Sequence, residues 1–280
     1  MSSESKPALP LNSGVTLGEL LTGYLRHRRF ELRPGTIELH EQTSKYLKGF
    51  FGEDRRIGTI KPADARQFKT DLADGNLARL NKRKYKRSMA RDTLNRHIRE
   101  ARVIFALAVT DQYLIENPFD KLAKGKSSEQ GWHYVSVDEF GGLFEAAKPA
   151  WKLMLGMGRW AGLRLEETIR LKWTQVDLAR HRIEIVAHTD AYGDWSPRDY
   201  EKRTIPISPE LHELLERADH DETEKVIPVG GVDVVNAWRD FGVLFRKAKM
   251  LRYAKRMHSL RKSCTTDWAN GGVASRSVQE

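Results

Sequence analysis

Residues 161–178 read AGLRLEETIRLKWTQVDL. Gly162 lets the backbone turn tightly, Arg164 follows at once, and Glu167 stands three positions further on. Side chains at i and i+3 of a helix can touch, so the carboxylate is placed to hold the guanidinium in one pose. On a helix surface such a pair is worth only about 0.2–0.5 kcal/mol. Its meaning therefore depends on the chain around it. WKLMLGMGRWAG (151–162) and EETIRLKW (166–173) read as helices on either side of Gly162. HRIEIVAH (181–188) and RTIPIS (203–208) are short and rich in β-branched residues, so they read as strands. Pro206 makes the second an edge strand or a strand end. SPELHELLERA (208–218) opens a helix with Ser208 as N-cap and Pro209 at N1, and VVNAWRDFGVLFRKAKM (234–250) reads as another. Near the end stands MHSLRKS (257–263), with His258 and Arg261 three residues apart in a run of positive charge.

Upstream, SVDEF (136–140) has the Ser136/Glu139 pattern of a capping box, so a new unit begins near residue 132. AKGKSSEQG (123–131) is polar and lacks apolar periodicity, as a linker does. The region before it reads as helices. TLGELLTGYLRHR starts at Thr16, RPGTIELHEQTSKYLKGFFG ends at Gly52, and KPADARQFKTDLADG opens at Pro62 and stops at Gly75. In RDTLNRHIREARVIFALAVTDQ (91–112), Leu94, Ile98, Ala101, Phe105 and Ala108 recur at the helical period. Arg91, Asn95, Arg99 and Arg102 fall on its other faces. Between the third and fourth helices, Lys82, Arg83, Lys84, Lys86 and Arg87 crowd around Tyr85; this reads either as a solvated loop or as a phosphate-contacting segment.

The composition limits the function classes. The net charge is +10, and residues 15–124 hold 23 Lys/Arg against 14 Asp/Glu, so most of the excess lies in the first half. That asymmetry favours a polyanionic partner, of which nucleic acid is the commonest. No run of about 18 apolar residues argues for a membrane span. MSSESKPALPLNSG lacks the apolar stretch of a secretory signal, and residues 1–14 read as a disordered leader. The one cysteine, Cys264, excludes an intrachain disulfide, fits a reducing cytoplasm, and reads as a small buried hydrophobe.

In order along the chain, these fragments resemble the tyrosine recombinases, or phage-type integrases. GLRLEETIRLKWTQVD is similar to their first arginine box, G-L-R-x-x-E followed by L-x-W and an Asp. HSLRKS is similar to their H-x-L-R box, KRTIPIS to the strand after their catalytic lysine, and GGVASRSVQE (271–280) to the run after the second box. The first half resembles their core-binding domain, from TLGELLTGYL to the closing NPF, so the resemblance covers nearly all of residues 15–280. It implies a mainly α chain. A helical, SAM-like core-binding domain would span 15–122, and an α+β integrase-type catalytic domain with a small antiparallel sheet would span 132–280, joined by residues 123–131.

The resemblance also implies a partner, double-stranded DNA, and work as a tetramer on paired sites in the cytoplasm, at the nucleoid. Phosphoryl transfer in DNA needs cations on the non-bridging oxygens, and arginine's planar fork grips phosphate bidentately. Arg164 and Arg261 are expected to form that clamp, supported by Glu167, with His258 adding a hydrogen bond or exchanging a proton. Lys202 is expected as the general acid, although by distance from TIPI the family's lysine position falls on Arg198. Arg91, Asn95, Arg99, Arg198 and the basic run 82–87 are expected to contact DNA. The mechanism calls for no metal or other cofactor, and no Cys/His ligand cluster is visible. The chain departs from the family in having no tyrosine after Arg261. Residues 1–280 are thus expected to bind DNA while lacking the nucleophile; the alternative is a non-catalytic, sequence-specific DNA-binding regulator on the same scaffold.

Overall fold

The structure is a computed structural model that describes residues 14–81, 88–123, 125, 131–190, 193–197, 202–220, 224–228, 232 and 237–272. The chain divides into two compact units, residues 1–129 and 130–280.

The first unit is helical: α1 (Leu17–Arg28), α2 (Pro34–Phe51), α3 (Pro62–Ala73) and α4 (Arg91–Thr110). Local chemistry sets the helix ends. Thr16 caps α1, accepting the Glu19 amide at 3.2 Å while its own amide donates to the Glu19 carboxylate at 2.8 Å. Proline opens α2 and α3, where a missing N–H is harmless, and Gly52 closes α2 at φ +86°. The apolar stripe of α4 packs against Leu17, Leu21, Leu47 and a cluster of Phe51, Phe68 and Phe119. Full burial of each such side chain contributes about 1.5–3 kcal/mol. Beyond α4 the chain folds back along it. Asn117 donates to Arg102 O at 2.8 Å, Arg102 donates to Leu122 O at 3.0 Å, and Asn95 both donates to and accepts from the backbone of Gly125.

Two polar pairs are buried in this core. The Nε2 of His40 lies 3.1 Å from Glu100, whose other oxygen accepts from Arg99 at 3.0 Å. Thr43 donates its hydroxyl to Leu39 O, so the Nδ1–H of His97 is the donor in the 2.8 Å contact between them.

The second unit holds α5 (Val137–Glu145), α6 (Pro149–Trp160), α7 (Leu165–Arg170), β1 (Val176–Asp177), β2 (Arg182–Ile185), β3 (His188–Asp190), β4 (Gly193–Trp195), β5 (Arg203–Pro206), α8 (Pro209–Glu216), α9 (Ala237–Lys247) and α10 (Arg256–Asn270). Helices α5, α7, α8 and α10 pack on α6. Its Gly158 permits a close approach: a Cβ there would lie 3.0 Å from the Met257 methyl and 3.3 Å from Leu260 Cβ on α10. The antiparallel sheet has the order β1-β2-β5, with Ile183 opposite Ile205 and Ile185 opposite Arg203. β5 is an edge strand and Pro206 is its last residue, as the sequence predicts.

Two features differ from expectation. The helix read over 166–173 ends at Arg170, because Leu171 and Trp173 pair with the chain at 224–226: Val226 N donates to Leu171 O and Trp173 N to Glu224 O, each at 3.0 Å. Backbone bonds to a distant segment override helical propensity there. Also, β3 and β4 form a separate two-stranded hairpin within the long β2–β5 connection. Asp190, whose side chain is buried at the turn end of the hairpin, holds it to the unit by contacts of 2.9 Å with Arg170 and 3.0 Å with Lys225.

Burial, then the Arg96 charge, lowers the pKa of His97 to about 4. Above pH 6.5 it is neutral folded or unfolded. As pH falls from 6.5 to 4 the unfolded chain takes up a proton that the fold excludes, so stability is lost across that window and levels off below it. Its size is about 3 kcal/mol. The hydrogen-exchange protection factors of the α2 and α4 amides are expected to fall between pH 6.5 and 4, and less so in His97→Phe; equal responses in the two proteins would refute this assignment.

Candidate functional site

α6 ends at Trp160, and the chain turns through Gly162 at φ +61° to bring in Arg164, the N-cap of α7. Glu167 occupies N3. One carboxylate oxygen accepts the Arg164 amide at 2.8 Å, and the other accepts the Arg164 guanidinium at 2.8 Å. The pair read from the sequence is therefore made, but it is no surface pair: the Glu167 side chain is 2% exposed. A second guanidinium, from Arg203 on β5, reaches the same carboxylate at 2.5 Å and is itself only 10% exposed. Burial pushes the Glu167 pKa up, but the hydrogen bonds from Arg203 and from the amide and guanidinium of Arg164 outweigh it and hold the carboxyl below its ordinary range. Glu167 is thus an anion at neutral pH.

α10 supplies the other wall. Its Arg261 donates to Gly162 O, binding the second box to the turn of the first. A side chain at 162 would be strained by the positive φ, so the backbone calls for glycine, while a Cβ there would rest in ordinary contact 3.4 Å from Cys264 Sγ. Cys264 is buried behind this turn, and burial pushes its thiol pKa up to about 12, as befits a small hydrophobe. Burial and the Arg164 charge depress the Arg261 pKa; Glu167 opposes this and Arg203 adds to it. His258 is exposed on the same helix. Partial desolvation, then the charges of Lys262, Lys255, Arg261 and Arg164, lower its pKa, leaving a neutral imidazole at pH 7. Arg164 and Arg203 thus bond one carboxylate, and Arg261, held on Gly162 O, stands near enough to feel its charge, so the three arginines leave an excess of two positive charges. Such a cluster, partly open at Arg164 and Arg261, suits an anion with several oxygens.

Of the residues singled out from sequence, Arg164, Glu167, His258 and Arg261 come together. Lys202 does not join them. It pairs at 3.1 Å with Glu184, which stands opposite Thr204 on the other face of the sheet from Ile183, Ile205 and Arg203. Arg198 and the run Lys82, Arg83, Lys84, Lys86 and Arg87 lie outside the described residues. In the first unit Arg91 is exposed at the start of α4, Arg99 is held by Glu100, and the Asn95 amide is engaged by Gly125, an internal task rather than a free reading head. Arg203 was missed. Its signal was a charge at an inward position of an alternating strand, in register with Ile205 and Ile207. Among the described residues no three His, Cys, Asp or Glu side chains gather as a metal site would require.

No family model matches the chain. Over 171 residues, 61% of the chain, it is 23% identical to prophage integrase IntR of Escherichia coli strain K12; the match spans 42% of that protein's length. Solved structures share the fold. The Tn1549 transposon integrase, in complex with a circular intermediate DNA, aligns at a TM-score of 0.73 and 18% identity over 94% of this chain and 90% of that one. A lambda integrase dimer bound to a COC' core site aligns at 0.72 and 12% identity over 95% and 93%. A lambda integrase tetramer bound to a Holliday junction aligns at 0.72 and 13% identity over 99% and 81%. The chain has the integrase fold, and the resemblance to the tyrosine recombinases is borne out.

Removing one partner of a buried charge pair leaves the other uncompensated, at a cost of about 3–5 kcal/mol. Glu167→Ala strands Arg203 in this way, whereas Glu167→Gln keeps an acceptor. All seven tryptophans lie at or beyond residue 132, so their fluorescence reports the second unit alone. Urea unfolding followed by that signal is expected to show a loss of about 3 kcal/mol or more for Glu167→Ala and a smaller one for Glu167→Gln. A loss below about 1 kcal/mol for Glu167→Ala would mean the carboxylate does not organise the site.

Proposed function

We propose that this chain, which has the integrase fold, is a site-specific DNA recombinase in which Arg164 and Arg261 grip one phosphodiester of duplex DNA. The observation that carries the reading is the arginine cluster at the buried Glu167, whose carboxylate holds Arg164 and Arg203 while Gly162 O holds Arg261 beside them, which leaves the cluster positive. Two guanidinium forks on the non-bridging oxygens stabilise the charge that grows there as the phosphorus is attacked. A preorganised fork loses less freedom on binding than a mobile one. His258, neutral at pH 7, can donate to a phosphate oxygen or exchange a proton with the leaving group. The proton-donor role read onto Lys202 requires its ion pair with Glu184 to open, because that pair lies on the face turned away from Glu167. The basic first unit adds sequence-independent affinity, and assembly as a tetramer on paired sites in the cytoplasm follows the lambda integrase tetramer solved on a Holliday junction. No described helix is long and apolar enough to cross a membrane.

A second reading, a binder without strand cleavage, is favoured by Tyr253. It is the last tyrosine in residues 1–280 and stands just before the second box. Its ring stacks on His133 and packs edge-on against Phe245. Burial, then the Glu139 charge, raises the pKa of its hydroxyl, the reverse of what a nucleophile needs. Tyr253 is therefore built as a packed core residue and not as an attacking oxygen.

Each lost phosphate contact reduces the slope of log affinity against log salt by about 0.9. Arg164→Ala and Arg261→Ala are each expected to weaken duplex binding and to reduce the slope by about one contact. Unchanged slopes would remove both residues from the interface. On a nicked suicide duplex, residues 1–280 are expected to form no covalent adduct; a band that survives denaturing electrophoresis would overturn the assignment.

A further inference from the structure

The first stretch of the second unit, residues 131–136, runs extended along α10 and is bonded to it three times. His133 N donates to Ser259 Oγ at 3.1 Å, Val135 N donates to Ser263 Oγ at 2.8 Å, and Tyr134 OH donates to Asp267 Oδ1 at 2.7 Å. Positions 259, 263 and 267 are four apart, so they form one face of the helix, and His258 and Arg261 project from its opposite side. Each serine is fully buried and its hydroxyl works in both directions. Ser259 donates to Ala254 O at 3.2 Å and Ser263 to Ser259 O at 2.9 Å while they accept the incoming amides. Without the hydroxyls, two amides would lose their acceptors beside a dry core. The far end is fixed from another side, where the buried Arg159 of α6 holds the second Asp267 oxygen at 2.5 Å. From Arg159, α6 runs directly into Gly162 and Arg164.

We propose that Ser259, Ser263 and Asp267, with the strand 133–135, are positioning residues: the seam fixes the rotation of α10 about its axis so that Arg261 and His258 meet the same phosphate as Arg164. This rests on the reading of the arginine cluster as a DNA-phosphate grip. A helix turned by one residue moves its side chains by about 100°, so a seam of i, i+4, i+8 bonds gives Arg261 its direction while Gly162 O anchors only its end. The seam touches no DNA in this account and acts through Arg261.

The test compares salt-dependent duplex binding by residues 1–280 in the unaltered protein, Arg261→Ala, Ser259→Ala/Ser263→Ala, Ser263→Thr and Tyr134→Phe, with circular dichroism as a check of folding. The serine double variant is expected to lose about one phosphate contact from the salt slope, as Arg261→Ala does, and Ser263→Thr to keep it. Combining the serine changes with Arg261→Ala is expected to cost less affinity than the two losses added. A merely structural role lowers the folded fraction without changing the slope, so an unchanged slope with additive losses overturns the proposal. If the serine double variant does not fold, Tyr134→Phe at the half-open end of the seam decides by the same slope. If Arg261→Ala itself leaves the slope unchanged, the grip fails and the seam proposal fails with it; a reduced slope in Arg261→Ala alone refutes the seam only.

Discussion

Glu167 carries a negative charge to a place where 2% of its side chain meets water. A carboxylate there is tolerated only if its oxygens are saturated by donors and its charge is matched. The chain meets that demand with a backbone amide and two guanidinium groups, and much of the second unit is arranged around them. Arg203 must come inward on β5 and the strand must end the sheet. α7 must begin at Arg164 so that its N3 carboxylate turns back on its own N-cap. Because two arginines answer one carboxylate and a third approaches, the arrangement balances Glu167 and leaves positive charge over for something else. On the proposed function, structural necessity and anion recognition are the same cluster seen from its inner and outer sides.

The outer side depends on the packing of α10 against α6. Gly158 lets α10 settle on α6, and Gly162 lets the following turn lie against Cys264 and offer its carbonyl to Arg261. A Cβ at 158 would press on Met257 and Leu260 of α10, and one at 162 would be strained by the positive φ. The clamp is therefore built from packing as much as from charge, and the Arg159–Asp267 pair and the serine seam hold the same two helices in register further along.

Parts of this were legible in the sequence. The four helices of the first unit follow from their caps and from the period of three and four in Leu94, Ile98, Ala101, Phe105 and Ala108, all of which are buried. The contact of Arg164 with Glu167 follows from their spacing. Its depth does not, since burial is decided by α10 and β5, which are distant in sequence. Arg203 was hidden for the same reason, although its place in the alternation of β5 was visible. The shortness of α7 depended on bonds to residues 224–226, and the β3–β4 hairpin on the buried anchor Asp190; neither leaves a periodic trace. Lys202 and Arg203 are neighbours with opposite directions, and only the sheet register tells which one faces Glu167.

The central claim is that Arg164 and Arg261 act together on one phosphate. The most direct measurement is nitrogen–proton NMR of their guanidinium Nε–H groups, assigned by substitution with lysine, as duplex DNA is titrated into residues 1–280. The account predicts that both resonances move together, with the same midpoint, and that Glu167→Gln broadens or scatters the Arg164 signal in the free protein. It would be contradicted if DNA bound while both resonances stayed at their free positions.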